Sequence, residues 1–215
     1  MEYGNGKFST FNENSQRGDG SANYTGAGLL GKWTAKNGLY VDGSFRAGRI
    51  HENTTNILRD NIRGYGYDER STYLGFSLGI GKQFEAAKGD VVDVYGRYIF
   101  NRKGSMDFNA AGDDYNLDAI NSHIFRLGVR YTMKRDRWKF YGDLSYEHEF
   151  DGKAEGRVNG LTIRGADTSG GSARLELGAT LTPSAESPWS LNFDVTGYAG
   201  KKQGIKGGVS LTYMF

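Results

Sequence analysis

The chain has 215 residues, a formal net charge of +2 and no cysteine, with 24% charged residues and a mean hydropathy of −0.60. These values exclude disulfides and thiolate metal sites, leave no stretch near the roughly 20 apolar residues of a helical membrane span, and single out no polyelectrolyte partner, nucleic acid included. A hydrophobic content of 37% arriving in periodic blocks also excludes a disordered chain.

Two-residue alternation predicts ten strands along a single domain spanning residues 1–215. The first runs from Tyr3 to Phe11 and leads through a polar loop, Asn12 to Asn23, into a second from Tyr24 to Lys36. Asn37-Gly38 reads as a two-residue hairpin turn into the third strand, Leu39 to Ile50. A long loop, His51 to Arg70, precedes Ser71 to Phe84, and the short turn Ala86 to Asp90 precedes Val91 to Asn101. Another long loop, Arg102 to Leu117, leads to the sixth strand, Ala119 to Met133; a tight turn at Lys134 to Arg137 then gives Trp138 to Phe150. The longest predicted loop, Asp151 to Gly171, is followed by Ala173 to Leu181, the turn Pro183 to Pro188, and Trp189 to Ala199. Lys201 to Gly204 connects to the closing strand, Ile205 to Phe215. Connections therefore alternate long and short with few exceptions, as in outer-membrane barrels with short periplasmic turns and longer extracellular loops.

Splitting the strands by parity separates two chemistries, because neighbouring side chains of a strand point to opposite faces. One parity carries residues such as Phe45, Phe76, Leu78, Val94, Leu127, Val129, Leu144, Leu177 and Val195, assigned to lipid. The other carries Asp42, Arg46, Asp93, Arg97, Arg126, Arg130, Asp143, Glu147, Glu176 and Asp194, expected to line an aqueous lumen. Reversing the assignment would place Arg at the bilayer midplane, at about 2–4 kcal/mol each. The competing soluble β-sandwich or lipocalin-like barrel would bury the apolar parity as its core. Strands of about 10–13 residues argue against it, since globular strands average about five or six. So do the aromatics near strand ends, including Trp33, Trp138, Trp189 and Tyr213. The fold class is thus all-β, an antiparallel up-and-down transmembrane barrel.

Several stretches resemble the C-terminal translocator domain of classical autotransporters, the type V secretion proteins of Gram-negative bacteria. They are Glu2-Tyr3-Gly4, YVDGSFRAG from Tyr40, DVYGRYIF from Asp93, SHIFRLGVRYT from Ser122, YEHEFDGKA from Tyr146 and the whole ending from Pro188. Full domains of that family resemble twelve-stranded barrels with an N-terminal helix threading the pore, and Glu2-Tyr3-Gly4 is similar to the start of their third strand. The helix and two strands are therefore expected to lie outside this segment, and the sequence does not decide whether the remaining ten strands close. With no basic-then-apolar leader after Met1, the chain reads as a mature or excised segment.

The resemblance implies export and surface anchoring of an attached passenger, in the outer membrane, without covalent chemistry, cofactor or metal. The implied partners are outer-membrane lipid and lipopolysaccharide, the barrel-assembly machinery, and the chain's own passenger and linker. Val209, Leu211, Tyr213 and Phe215 correspond to an assembly signal on the closing strand. The ionic parity has two readings, holding a polar polypeptide and pairing across strands to stabilise a wet interior, and both can hold. Two other functions compete: a simple pore or structural barrel, and a ten-stranded outer-membrane protease using His51, His123 or His148 with neighbouring acids such as Glu52, Glu147, Glu149 and Asp151. Adjacency on a strand, however, sends neighbours to opposite faces. Glycines at 26–31 and 75–81 fall within strands and do not read as phosphate cradles, and Asp113-Asp114 lacks calcium-loop spacing.

Overall fold

The computed structural model describes residues 1–11, 15–59, 63–184 and 186–214. Ten strands form one antiparallel meander: β1 (Glu2–Phe11), β2 (Arg17–Thr34), β3 (Leu39–Thr55), β6 (Asp68–Glu85), β7 (Val91–Lys103), β10 (Ile120–Arg135), β11 (Trp138–Glu149), β14 (Gly170–Leu181), β15 (Trp189–Gly200) and β16 (Gly204–Tyr213). Each pairs with its neighbours in that order. Among the described residues β1 pairs only with β2 and β16 only with β15, so the sheet curls without closing.

The remaining strands belong to the long connections. A two-stranded hairpin joins β4 (Leu58–Arg59) to β5 (Gly64–Tyr65). A separate four-stranded sheet combines two connections: β8 (Met106–Ala110) and β9 (Asp113–Leu117) from one, β12 (Lys153–Val158) and β13 (Leu161–Asp167) from the other, in the order β13-β12-β9-β8. Both stretches are loops by sequence, a reading the structure corrects. Ala111-Gly112 and Asn159-Gly160 occupy positive φ (59° and 88°, 49° and 81°), the backbone that two-residue hairpins require. Asn159 then joins the hairpins, its side chain accepting from the Asp114 N–H at 2.9 Å and donating to Asp113 Oδ1 at 2.7 Å. A stack of Tyr67, Phe108 and Tyr115, with centroids 4.6 and 5.0 Å apart, ties this sheet to the chain entering β6.

The short turns at the other end follow the predicted positions with one change. Ala35 N–H donates to Leu39 O at 2.8 Å, so Asn37-Gly38 belongs to a three-residue loop rather than a two-residue one. Gly38 sits at φ +82° with its would-be Cβ 2.3 Å from Gln83 O, a position only glycine fills. In the next turn Asp90 accepts from Arg135 Nη1 and Nη2 at 2.6 and 3.0 Å, from Tyr131 Oη at 2.8 Å and from Lys134 N at 3.2 Å. The Arg135 guanidinium holds that carboxyl well below the usual carboxylate range.

The sheet is inverted relative to a water-soluble protein. Leu78, Val129 and Leu177 are 50%, 47% and 58% exposed, whereas Asp143, Glu147 and Arg174 are 0%, 3% and 6% exposed. Only Tyr40, Met106, Ala110 and Ile124 qualify as buried hydrophobics among the described residues. A soluble sandwich with an oily core would show the reverse, so that alternative is overturned. Side chains on the polar face also reach across an intervening strand, about 9–10 Å on a flat sheet, which makes that face the concave one.

Candidate functional site: the charged concave face

Register puts every one of the ten predicted ionic residues on the concave face. Arg130 lies opposite Asp93 on one side and Asp143 on the other, and Arg126 lies opposite Arg97 and Glu147. Asp143 lies opposite Glu176, and Asp42 opposite Lys32.

The densest cluster surrounds Asp143, which is fully buried. It accepts from Arg174 Nη1 at 2.9 Å, Arg130 Nε at 3.3 Å, Ser145 Oγ at 3.3 Å and Tyr95 Oη at 3.0 and 2.9 Å. Both guanidiniums continue to Glu176: Arg130 Nη2 lies 3.1 Å from Oε1, and Arg174 pairs with Oε2. Two carboxylates thus share two guanidiniums across β10, β11 and β14. Arg130 also stacks over the Tyr141 ring at 4.6 Å.

Two satellite groups extend the network. Toward the short turns, Arg97 Nη2 meets Asp42 Oδ1 at 2.6 Å, Tyr40 Oη donates to Asp93 at 3.0 Å, and Lys32 lies 4.1 Å from the Tyr40 ring centroid. Toward the long connections, Arg126 Nε donates to Glu147 Oε1 at 2.7 Å, and Lys103 Nζ reaches Glu52 at 2.7–2.8 Å. Lys202 approaches both Glu147 and Glu149 at 3.7 Å. Glu149 further accepts from Ser122 Oγ and the His123 N–H, each at 2.7 Å.

Among the described residues Arg46 stands apart from the ion pairs and donates to Asn101 Oδ1 at 3.1 Å, and Asp194 accepts a 3.5 Å bond from Asn192. Between these groups lies a cavity of about 260 Å³ lined by Lys32, Asp93, Arg97, Arg126, Arg130 and Arg174 among others. Five cations border it, several with N–H groups beyond those their carboxylate partners occupy. An extended polar chain bearing carboxylate or amide oxygens can accept from such a wall.

Arg174, Tyr95, Tyr40 and Glu149 also belong to this network, and none was among the residues expected to line the lumen. Arg174 shares parity with Glu176, and Tyr95 with Asp93 and Arg97, so the alternation already contained them. An aromatic hydroxyl on an ionic face was the missed signal, since Tyr reads as an interfacial residue when only its ring is considered.

The predicted assembly residues Val209, Leu211 and Tyr213 lie on the convex side of β16, opposite Phe193, Leu191 and Trp189, and are 68%, 64% and 43% exposed. The Trp189 and Tyr213 rings meet at 4.7 Å. Phe215 lies outside the described residues. The histidines all share the convex parity: His51 Nε2 lies 2.5 Å from Asp68 Oδ1, His123 Nδ1 lies 2.7 Å from Tyr98 Oη, and the His148 ring packs 4.7 Å from Phe150. Glu147 and Glu149 project to the opposite face from His148, so the two nearest acids in sequence are not its partners.

Among known families, the model described as the autotransporter β-domain matches residues 1–196. The autotransporter adhesin/invasin TibA of Escherichia coli O78:H11 (strain H10407 / ETEC) is 26% identical over 191 residues, covering 84% of this chain. The chain spans only 19% of TibA's length. Three solved structures share the fold. The β domain of the Bordetella autotransporter Brka has a TM-score of 0.64 at 18% identity, covering 93% of this chain and 83% of that one. The transport unit of AIDA-I from Escherichia coli has a TM-score of 0.68 at 13% identity, covering 99% and 73%. The translocator domain of NalP from Neisseria meningitidis has a TM-score of 0.65 at 12% identity, covering 99% and 86%. With a curled meander, an oily convex side and a family match over most of its length, the chain belongs to the autotransporter β-domain family.

Proposed function

We propose that this chain forms most of the wall of an outer-membrane translocator barrel in a Gram-negative bacterium, exporting an attached passenger polypeptide and anchoring it at the cell surface. The observation that carries this reading is the inversion of the sheet: an exposed oily convex band beside a buried, ion-paired concave face. Asp42, Arg46, Asp93, Arg97, Arg126, Arg130, Asp143, Glu147, Glu176 and Asp194 line the aqueous bore. They hold the wall in shape and offer the passing chain alternating donors and acceptors. The bore carries no covalent chemistry, and the histidines serve the membrane-facing side.

Val209, Leu211, Tyr213 and Phe215 present the closing strand to the barrel-assembly machinery by strand addition, for which an unpaired edge is suited. The test is a fusion of an epitope-tagged passenger to this chain through a family helix and first two strands placed ahead of Met1, expressed behind a secretory leader, with external protease applied to intact cells. Export predicts that the tag is shaved while the barrel stays protected. A folded, membrane-inserted barrel whose passenger stays inaccessible from outside refutes the reading.

A further inference from the structure

The convex face is not uniformly oily: at the long-connection end of the β3–β7 wall it turns cationic. Arg49 lies opposite Thr72, Arg70 opposite His51, and Arg102 opposite Leu74 and Asn121, all with convex parity. All three arginines are exposed. Arg49 and Arg70 are diagonal neighbours, about 7–8 Å apart at the backbone, and Arg102 lies one strand beyond.

Among the described residues none of the three pairs with a carboxylate. Arg102 donates only to Asn121 Oδ1, at 2.9 Å. Asp68, two residues before Arg70 and on the same face, already meets His51 Nε2 at 2.5 Å and Asn53 Nδ2 at 2.7 Å. At the opposite end of the sheet the convex cations are spent differently: Arg135 is bound by Asp90, and Lys82 lies 5.2 Å from the Phe84 ring. Across the sheet, the same level of the convex face carries His148, Phe150, Ala173 and Ala199, with Lys201, opposite Gly171, as a lone cation. The arginine cluster is therefore local to one wall and one end.

Their height is also specific. Ten residues separate Leu39, at the short-turn end of the convex band, from Arg49. At about 3.3 Å per residue and a tilt of about 40°, they span about 25 Å, the height of the apolar band of such barrels. Arg49 thus stands at the upper rim of the oil. Phe45, Ala47, Leu74 and Phe100 lie below on the same face, and polar Thr72 and Asn121 lie beside.

We propose that Arg49, Arg70 and Arg102 form a docking site for the phosphorylated headgroup of a lipid in the leaflet at the long-connection end. The lipid's acyl chains lie against the oily band beneath. Guanidiniums suit phosphate because their paired N–H groups match two oxygens at once, and clustered cations at a membrane interface attract anionic headgroups. The site rests on the membrane-barrel reading above.

The test extracts the chain in mild detergent, titrates it with diphosphorylated lipid A and counts bound lipid by native mass spectrometry. The parent is expected to retain lipid; the triple variant R49Q/R70Q/R102Q is expected to bind about a hundredfold more weakly, and R49Q or R102Q alone about fivefold. Lipid A stripped of its phosphates should bind like the triple variant does. K36Q/K88Q, at the other end, should match the parent. Undiminished binding by folded single or triple variants overturns the site, as does displacement of the lipid by excess inorganic phosphate, which would mark a free-anion site. Failure of the parent to enter detergent or vesicles at all, scored separately by protease resistance, refutes the barrel instead.

Discussion

Replacing Asp143 by alanine removes the one carboxylate that Arg130, Arg174 and Tyr95 share, and leaves Arg174, only 6% exposed, with Glu176 alone. Breaking a buried ion pair by deleting one partner costs about 3–5 kcal/mol, because the remaining charge stays desolvated. The next residue, Leu144, points the opposite way and is 64% exposed. In a bilayer, Leu144→Ala forfeits about 2 kcal/mol of transfer from water, with no cavity term because acyl chains fill the gap. Urea unfolding from lipid vesicles, followed by tryptophan emission, measures both. Asp143→Ala should be the more damaging of the pair. In a soluble barrel with Leu144 in its core, Leu144→Ala would instead cost about 2–5 kcal/mol and Asp143→Ala, on the surface, less than about 0.5 kcal/mol. That inverted order would refute the assignment of faces.

Leu78→Arg places a charge near the middle of the convex band and should lower folding stability in vesicles by about 2–4 kcal/mol, read from the same urea curves. Asp90 makes acid sensitivity local. Its folded pKa is depressed by Arg135, so its contribution is full above the ordinary carboxylate pKa and is lost as pH falls through the depressed value. The gap in thermal midpoint between parent and Asp90→Asn should therefore be constant from about pH 5 to 8 and narrow progressively as pH falls below about 4. Phe108→Ala removes the central ring of the Tyr67–Phe108–Tyr115 stack, each contact worth about 0.5–1.5 kcal/mol. Limited proteolysis within 104–118 should accelerate by at least about fivefold, while the main sheet keeps its urea midpoint; equal rates in parent and variant would show that the stack does not hold the outer sheet.

The ten main strands and their two faces were legible because lipid and water impose alternation on every membrane-crossing residue. Where that pressure ends, so did legibility. β2 begins at Arg17 and β3 continues to Thr55, with polar side chains on both faces, held by the backbone ladder and by polar links such as Lys103–Glu52 and Asn53–Asp68 rather than by apolar alternation. The outer four-stranded sheet was missed for the same reason, although Asn159-Gly160 is a hairpin signal that the loop assignment passed over. Parity puts the ten ionic residues on one face of the sheet, whereas their grouping is not legible in the sequence. Which of two facing acids an arginine takes depends on curvature that brings strands two apart within reach, as with Arg130 and Glu176.

The links from Arg97 to Asp42, Tyr95 to Asp143 and Arg130 to Glu176 each skip a strand. They act as cords strung inside an arch, shortening its inner circumference while the outer one stays free to slide in oil. A wall bent in this way keeps its shape without contents, so the departure of a cargo need not flatten it.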